Sequence, residues 1–72
     1  MSFEYSKLAG KIKEIFDTQG KFATAMCLSE RSLSMKLSNQ RGWKQNEIKK
    51  ACTLLGIPRE EIHDYFFAEK VH

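Results

Sequence analysis

Cysteine is scarce, proline scarcer, and long apolar runs are missing, and each shortage removes a class of protein. The two cysteines, Cys27 and Cys52, lie far apart without a C-x-x-C pair, and His63 and His72 add no short histidine spacing. Zinc wants ligands clustered at such intervals, so no metal is expected. Cysteines of this kind read as small apolar filler in a reducing compartment. Uncharged stretches such as Phe22 to Ser29 fall well short of the ~20 residues a membrane helix needs. Met1 to Ser6 lacks a basic segment followed by an apolar one, so no export signal is read and a cytoplasmic location is expected. Catalytic patterns are missing too. There is no glycine-rich phosphate loop and no nucleophile set beside a histidine, and Glu60, Glu61 and Asp64 fall on one short helical stretch. These absences imply neither an enzyme nor a cofactor.

What remains is 72 residues, room for one domain, residues 1–72, with a small core. Charge is distributed unevenly. Residues 31–50 carry Arg31, Lys36, Arg41, Lys44, Lys49 and Lys50 against Glu47 alone, whereas residues 51–72 carry Glu60, Glu61, Asp64 and Glu69 against Arg59 and Lys70. A basic middle is the footprint of a polyanion-binding surface, or simply a solvated helical face.

Helical periodicity recurs along the whole chain, which makes the expected class all-α. Ser6 reads as the cap of a first helix, about Ser6 to Asp17, whose stripe is Leu8, Ile12, Ile15 and Phe16. A second helix, from Gln19 or Gly20 to about Met26, buries Phe22, Ala23 and Met26. Ser29 caps a third, anchored by Leu33 and Leu37. Asn39-Gln40-Arg41-Gly42 reads as a loop. The fourth helix runs from Lys44 or Gln45 to Leu55 over Ile48, Ala51, Cys52 and Leu55, and Gly56 ends it in a left-handed conformation. Pro58 suits the first turn of a fifth helix, with Glu60 and Glu61 at its positive end and Ile62, Tyr65 and Phe66 inward. Residues 67–72 form a short tail, either a frayed end or one extended strand.

Residues 19–38 have the make-up of a helix-turn-helix: Ala23 where two helices cross, Leu28 in the turn, Ser29 as cap, and Leu33 and Leu37 as anchors. The run Q-G-K-F-A-T-A-M-C-L-S-E-R-S-L-S-M-K-L-S-N, followed by G-W-K-Q-N-E-I-K-K-A-C-T-L-L-G-I-P, resembles the lambda-repressor-like (Cro/repressor, Xre-type) superfamily. Within it the chain looks most like short Cro-like proteins of phages from Gram-positive bacteria. Cys27 departs from the glycine often found in that turn, at a cost of about 1 kcal/mol for left-handed backbone.

That resemblance implies a compact five-helix domain acting as a sequence-specific transcriptional regulator, with a recognition helix at about 29–38 in the major groove of operator DNA. Arg31, Ser34, Met35 and Glu30 are then the candidate base contacts. Gln19, Lys21, Lys36, Asn39, Arg41 and Lys44 are the candidate phosphate contacts. Met35 reads equally well as folding back onto the core, and Trp43 as a core-edge residue. Useful selectivity would call for a homodimer, with Tyr65, Phe66 and Phe67 as its interface, since three successive aromatics cannot all face one core. The alternative is a phage modulator or antirepressor that works by binding a partner repressor protein, for which the acidic C-terminal third and its aromatics are suited.

Overall fold

The computed structural model describes residues 3–69. The five expected helices are present: α1 (Ser6–Phe16), α2 (Gln19–Met26), α3 (Glu30–Leu37), α4 (Gln45–Leu55) and α5 (Ile62–Phe66), the last entered through a 3-10 turn at Arg59–Glu61. Among the described residues no strand forms, only a single antiparallel bridge between Phe3 and Glu69, and no helix is long and apolar enough to cross a membrane.

Local chemistry sets most of the helix ends. The Thr18 hydroxyl accepts the Lys21 N–H at 3.1 Å, and the Ser29 hydroxyl accepts the Ser32 N–H at 3.1 Å. Each satisfies a donor that the first helical turn leaves open. Cys27 (φ 62°) and Gly56 (φ 68°) close α2 and α4 in the left-handed region. The α2–α3 turn therefore does carry the strained non-glycine backbone expected of it. At α1 the cap differs from the expected one. Ser6 lies inside the helix behind Tyr5, and its N–H is taken by the Glu4 carboxylate at 3.0 Å. Pro58 stands just ahead of the 3-10 turn in extended backbone instead of within the first turn of α5.

The core is built on Leu8, Ile12, Phe22, Leu33 and Phe66, all sealed from water. Ala23 is buried too, and its methyl group lets α2 and α3 approach. Ile15 is 47% exposed despite its place in the stripe of α1. Phe16, one residue further on, instead turns back edge-on to Phe22 at 5.2 Å. Cys52 is buried filler as expected, whereas Cys27 is exposed, with the Lys50 ammonium 3.5 Å from its sulfur.

The loop between α3 and α4 is held by an ion pair inside the protein. Lys36 is 3% exposed, and its ammonium lies 2.8 Å from the Glu47 carboxylate and donates to the Gly42 carbonyl at 3.1 Å. The same Glu47 oxygen accepts the Lys44 N–H at 2.8 Å and so caps α4. Burial by itself raises the Glu47 pKa. The Lys36 and Lys44 hydrogen bonds and ammonium charges outweigh it and hold the carboxyl below its ordinary value. At the other end of the loop the Asn39 amide brackets Phe3, accepting its N–H and donating to its carbonyl, both at 2.9 Å. The Glu4 N–H reaches the Ala68 carbonyl at 2.6 Å, so the tail is tied to the N-terminal segment at Ala68 and, through the bridge, at Glu69. Residues 70–72 lie outside the described part.

Two outcomes follow for stability. Ala23→Leu forces α2 and α3 apart and lowers the unfolding free energy by about 1–3 kcal/mol, measurable by urea denaturation. Lys36→Met strands the Glu47 carboxylate and costs about 3 kcal/mol. Because the native Glu47 pKa is depressed, the stabilisation from the pair is complete above the unfolded carboxylate pKa, ordinarily about 4.3, and disappears as the pH falls through the lower native value. The urea midpoint of wild type should therefore fall more steeply on acidification in that range than that of Glu47→Gln. Parallel curves would show that the pair contributes nothing.

Candidate functional site

Two surfaces compete for the functional role, the outward face of α3 and an aromatic cleft at the opposite end of the loop. On α3, Glu30, Arg31 and Ser34 are exposed, while Met35 is half-buried. Met35 thus folds partly back onto the body, one of the two readings open to it. Gln19, Lys21, Arg41 and Lys44 are also exposed. Lys21 pairs with Asp17 at 3.7 Å, and the Arg41 guanidinium donates to the Ser32 hydroxyl at 3.3 Å.

Two of the expected phosphate contacts are otherwise engaged. Lys36 is buried on Glu47 and the Gly42 carbonyl, because its stem points into the seam between α3 and the loop, not along the outer face. Asn39 uses both ends of its amide on the Phe3 backbone. Removing Lys36 from the surface leaves the outward face of α3 with Glu30 opposing Arg31 among serines, close to neutral, which is a poor match for a phosphate backbone.

The C-terminal aromatics separate in a way that periodicity does not reveal. Tyr65 and Phe66 are buried in the core, so neither offers an interface as expected, whereas Phe67 remains 40% exposed. The Lys7 ammonium sits 4.7 Å over the Tyr65 ring, covering it further. Phe67 stands edge-on to Phe3 at 6.0 Å between ring centroids. From there a chain of ring contacts runs through Phe3–Tyr5 (6.3 Å) and Tyr5–Trp43 (6.4 Å) to Trp43–Phe66 (5.2 Å, 80°). These rings, with Asn39, Arg41, Gly42 and Ile48, line a cleft of about 260 Å3. Burial raises the Tyr5 pKa, consistent with a hydroxyl shielded by this cluster. Trp43 sits at the core edge, half-buried, and its indole nitrogen is buried with no hydrogen-bond partner among the described residues.

Sequence reasoning missed Phe3, Tyr5 and Glu47 as site or support residues. For Glu47 a signal existed, since it is the lone acid among six basic residues and stands three positions after Lys44, the spacing of a capping interaction. For Phe3 and Tyr5 none existed, because their position depends on contacts with residues more than thirty places away.

Residues 1–69 match the model of the family described as "Protein of unknown function (DUF739)". No curated protein matches the sequence. Among solved structures, the chain is similar to the solution structure of the modulator of repression (MOR) of the temperate bacteriophage TP901-1 from Lactococcus lactis. The two share 50% identity with a TM-score of 0.81, over 100% of this chain and 97% of that one. These matches correct the resemblance to Cro and Xre-type regulators. They also overturn the reading as an operator-binding transcriptional regulator, because the full-length match is to a modulator of repression. The local α2–turn–α3 geometry that suggested the resemblance is present, but it is not diagnostic of that family or of a DNA-reading role. With a family model matching residues 1–69 of the 72, the chain belongs to the DUF739 family.

Proposed function

We propose that this protein is a phage modulator of repression that works by binding a partner repressor protein, without catalysis and in the cytoplasm where a repressor meets its genome. The observation that carries this reading is the 50% identity over the whole chain to a protein described as a modulator of repression. The geometry supports it in two ways. The face that would have to read DNA has one of its basic residues buried in an ion pair and another polar residue tied to the N-terminal backbone. The chain also exposes an aromatic at the mouth of a preformed cleft, the kind of apolar anchor around which protein interfaces are organised. Phe67, with Phe3 beside it, is the partner-facing residue in this reading, and Tyr65 and Phe66 act behind it as core.

The test is calorimetric titration of the purified protein with the repressor encoded by the same phage, with Phe67→Ser and Arg31→Ala alongside wild type. A wild-type complex is expected, weakened about tenfold by Phe67→Ser and left nearly unchanged by Arg31→Ala. A protein that ignores the repressor yet binds the phage operator in preference to scrambled DNA would overturn the proposal.

A further inference from the structure

Trp43 carries a feature that the fold does not use. Its ring explains itself: it packs edge-on to Phe66 and against Tyr5, and the Lys36 ammonium lies 5.9 Å from its face. The indole N–H does not. The nitrogen is sealed from solvent with no acceptor among the described residues, and a buried donor left unmade is a standing cost to the free protein. Buried polar side chains nearly always find partners, so an orphan at the wall of an open cleft points to an acceptor supplied from outside. The cleft also has a charge preference. Among the described residues Arg41 is the one charged residue lining it, and it forms no ion pair with a carboxylate there.

We infer that the cleft takes an apolar side chain of the repressor carried next to a carboxylate, whose oxygens accept the Trp43 Nε1–H and face the Arg41 guanidinium. This deepens the modulator reading and rests on it. An ionised acceptor suits both groups, since charge-assisted hydrogen bonds are the strong ones. The apolar side chain seats against the Phe3 and Phe67 rings where they line the cleft. Since the nitrogen is covered in the free chain, the acceptor reaches it as side chains lining the cleft shift. Phe67 is the one exposed ring among the described residues that line the cleft. A basic segment of the repressor is excluded as occupant, because it would set like charge against Arg41.

The experiment is Trp43→benzothienylalanine, introduced by chemical synthesis of the 72-residue chain. This side chain keeps the bicyclic shape and replaces the N–H by sulfur. Affinity for the repressor is measured by calorimetry and the thermal midpoint by circular dichroism, with Arg41→Ala made in both backgrounds. The expected result is an unchanged thermal midpoint and an affinity about fivefold lower. Arg41→Ala should then cost less in the analogue than in wild type, because both groups serve one carboxylate. Equal affinity of analogue and wild type would overturn the assignment. So would a thermal midpoint lowered by more than a few degrees, which would place the acceptor, a trapped water included, inside the free protein. If wild type itself fails to bind the repressor, the modulator reading falls and takes this assignment with it. Failure confined to the analogue comparison leaves that reading standing.

Discussion

A lysine ammonium removed from water has to be given its donors back inside the protein, and much of this structure is arranged around meeting that demand for Lys36. Its Nζ finds the Glu47 carboxylate at 2.8 Å and the Gly42 carbonyl at 3.1 Å. The same carboxylate oxygen turns to cap α4 through the Lys44 N–H. One side chain therefore joins the end of α3, the middle of the loop and the start of α4. The pair is not free stabilisation, because both ions have lost hydration and a well-packed apolar pair would often serve as well. What it contributes is a defined path for a loop that has no secondary structure of its own.

The aromatic cleft is downstream of that path. Trp43 follows Gly42 directly, so the carbonyl bound by Lys36 also fixes where the indole enters the core. At the other end of the loop Asn39, in the left-handed region at φ 67°, reaches the Phe3 backbone from 36 residues away. Phe3 in turn bridges to Glu69. N-terminal segment, loop and tail are thus tied into one corner of the molecule, and the rings they carry make the wall of the cleft. The two ties have different strengths. The ion pair is buried, whereas the Asn39 hydrogen bonds are exposed and compete with water, so this corner is where local opening is least costly.

The same pair takes the one lysine of α3 off that helix's outward face. Sequence charge counts Lys36 and Glu47 as a surface cation and a surface anion, but the fold cancels both out of solvent. With them gone, α3 offers Glu30 and Arg31 side by side, and the remaining cations spread over the loop and α4 instead of lining one groove-sized face. A helix pair can keep the crossing and turn of a DNA reader while its surface is suited to a protein, because the crossing is set by small and apolar residues that never touch the ligand.

The helices themselves were legible from the sequence. The cap at Ser29, the left-handed stops at Cys27 and Gly56, and the stripes of α2 and α4 all act over one to four residues, a range in which side-chain type and spacing decide the outcome. The small residue at the helix crossing, Ala23, was legible for the same reason. What tertiary structure alone decided is how residues with equal local claims were divided. Tyr65, Phe66 and Phe67 are consecutive, and only packing against α1 and the N-terminal segment selects Phe67 for the surface. Ile15 belongs to the stripe of α1, yet it is exposed while Phe16 meets Phe22. Lys36 is one cation among six in its region, and its burial follows from Glu47 standing eleven residues later on another helix. Burial is a property of what surrounds a residue, and those surroundings come from distant parts of the chain, so no local pattern encodes them.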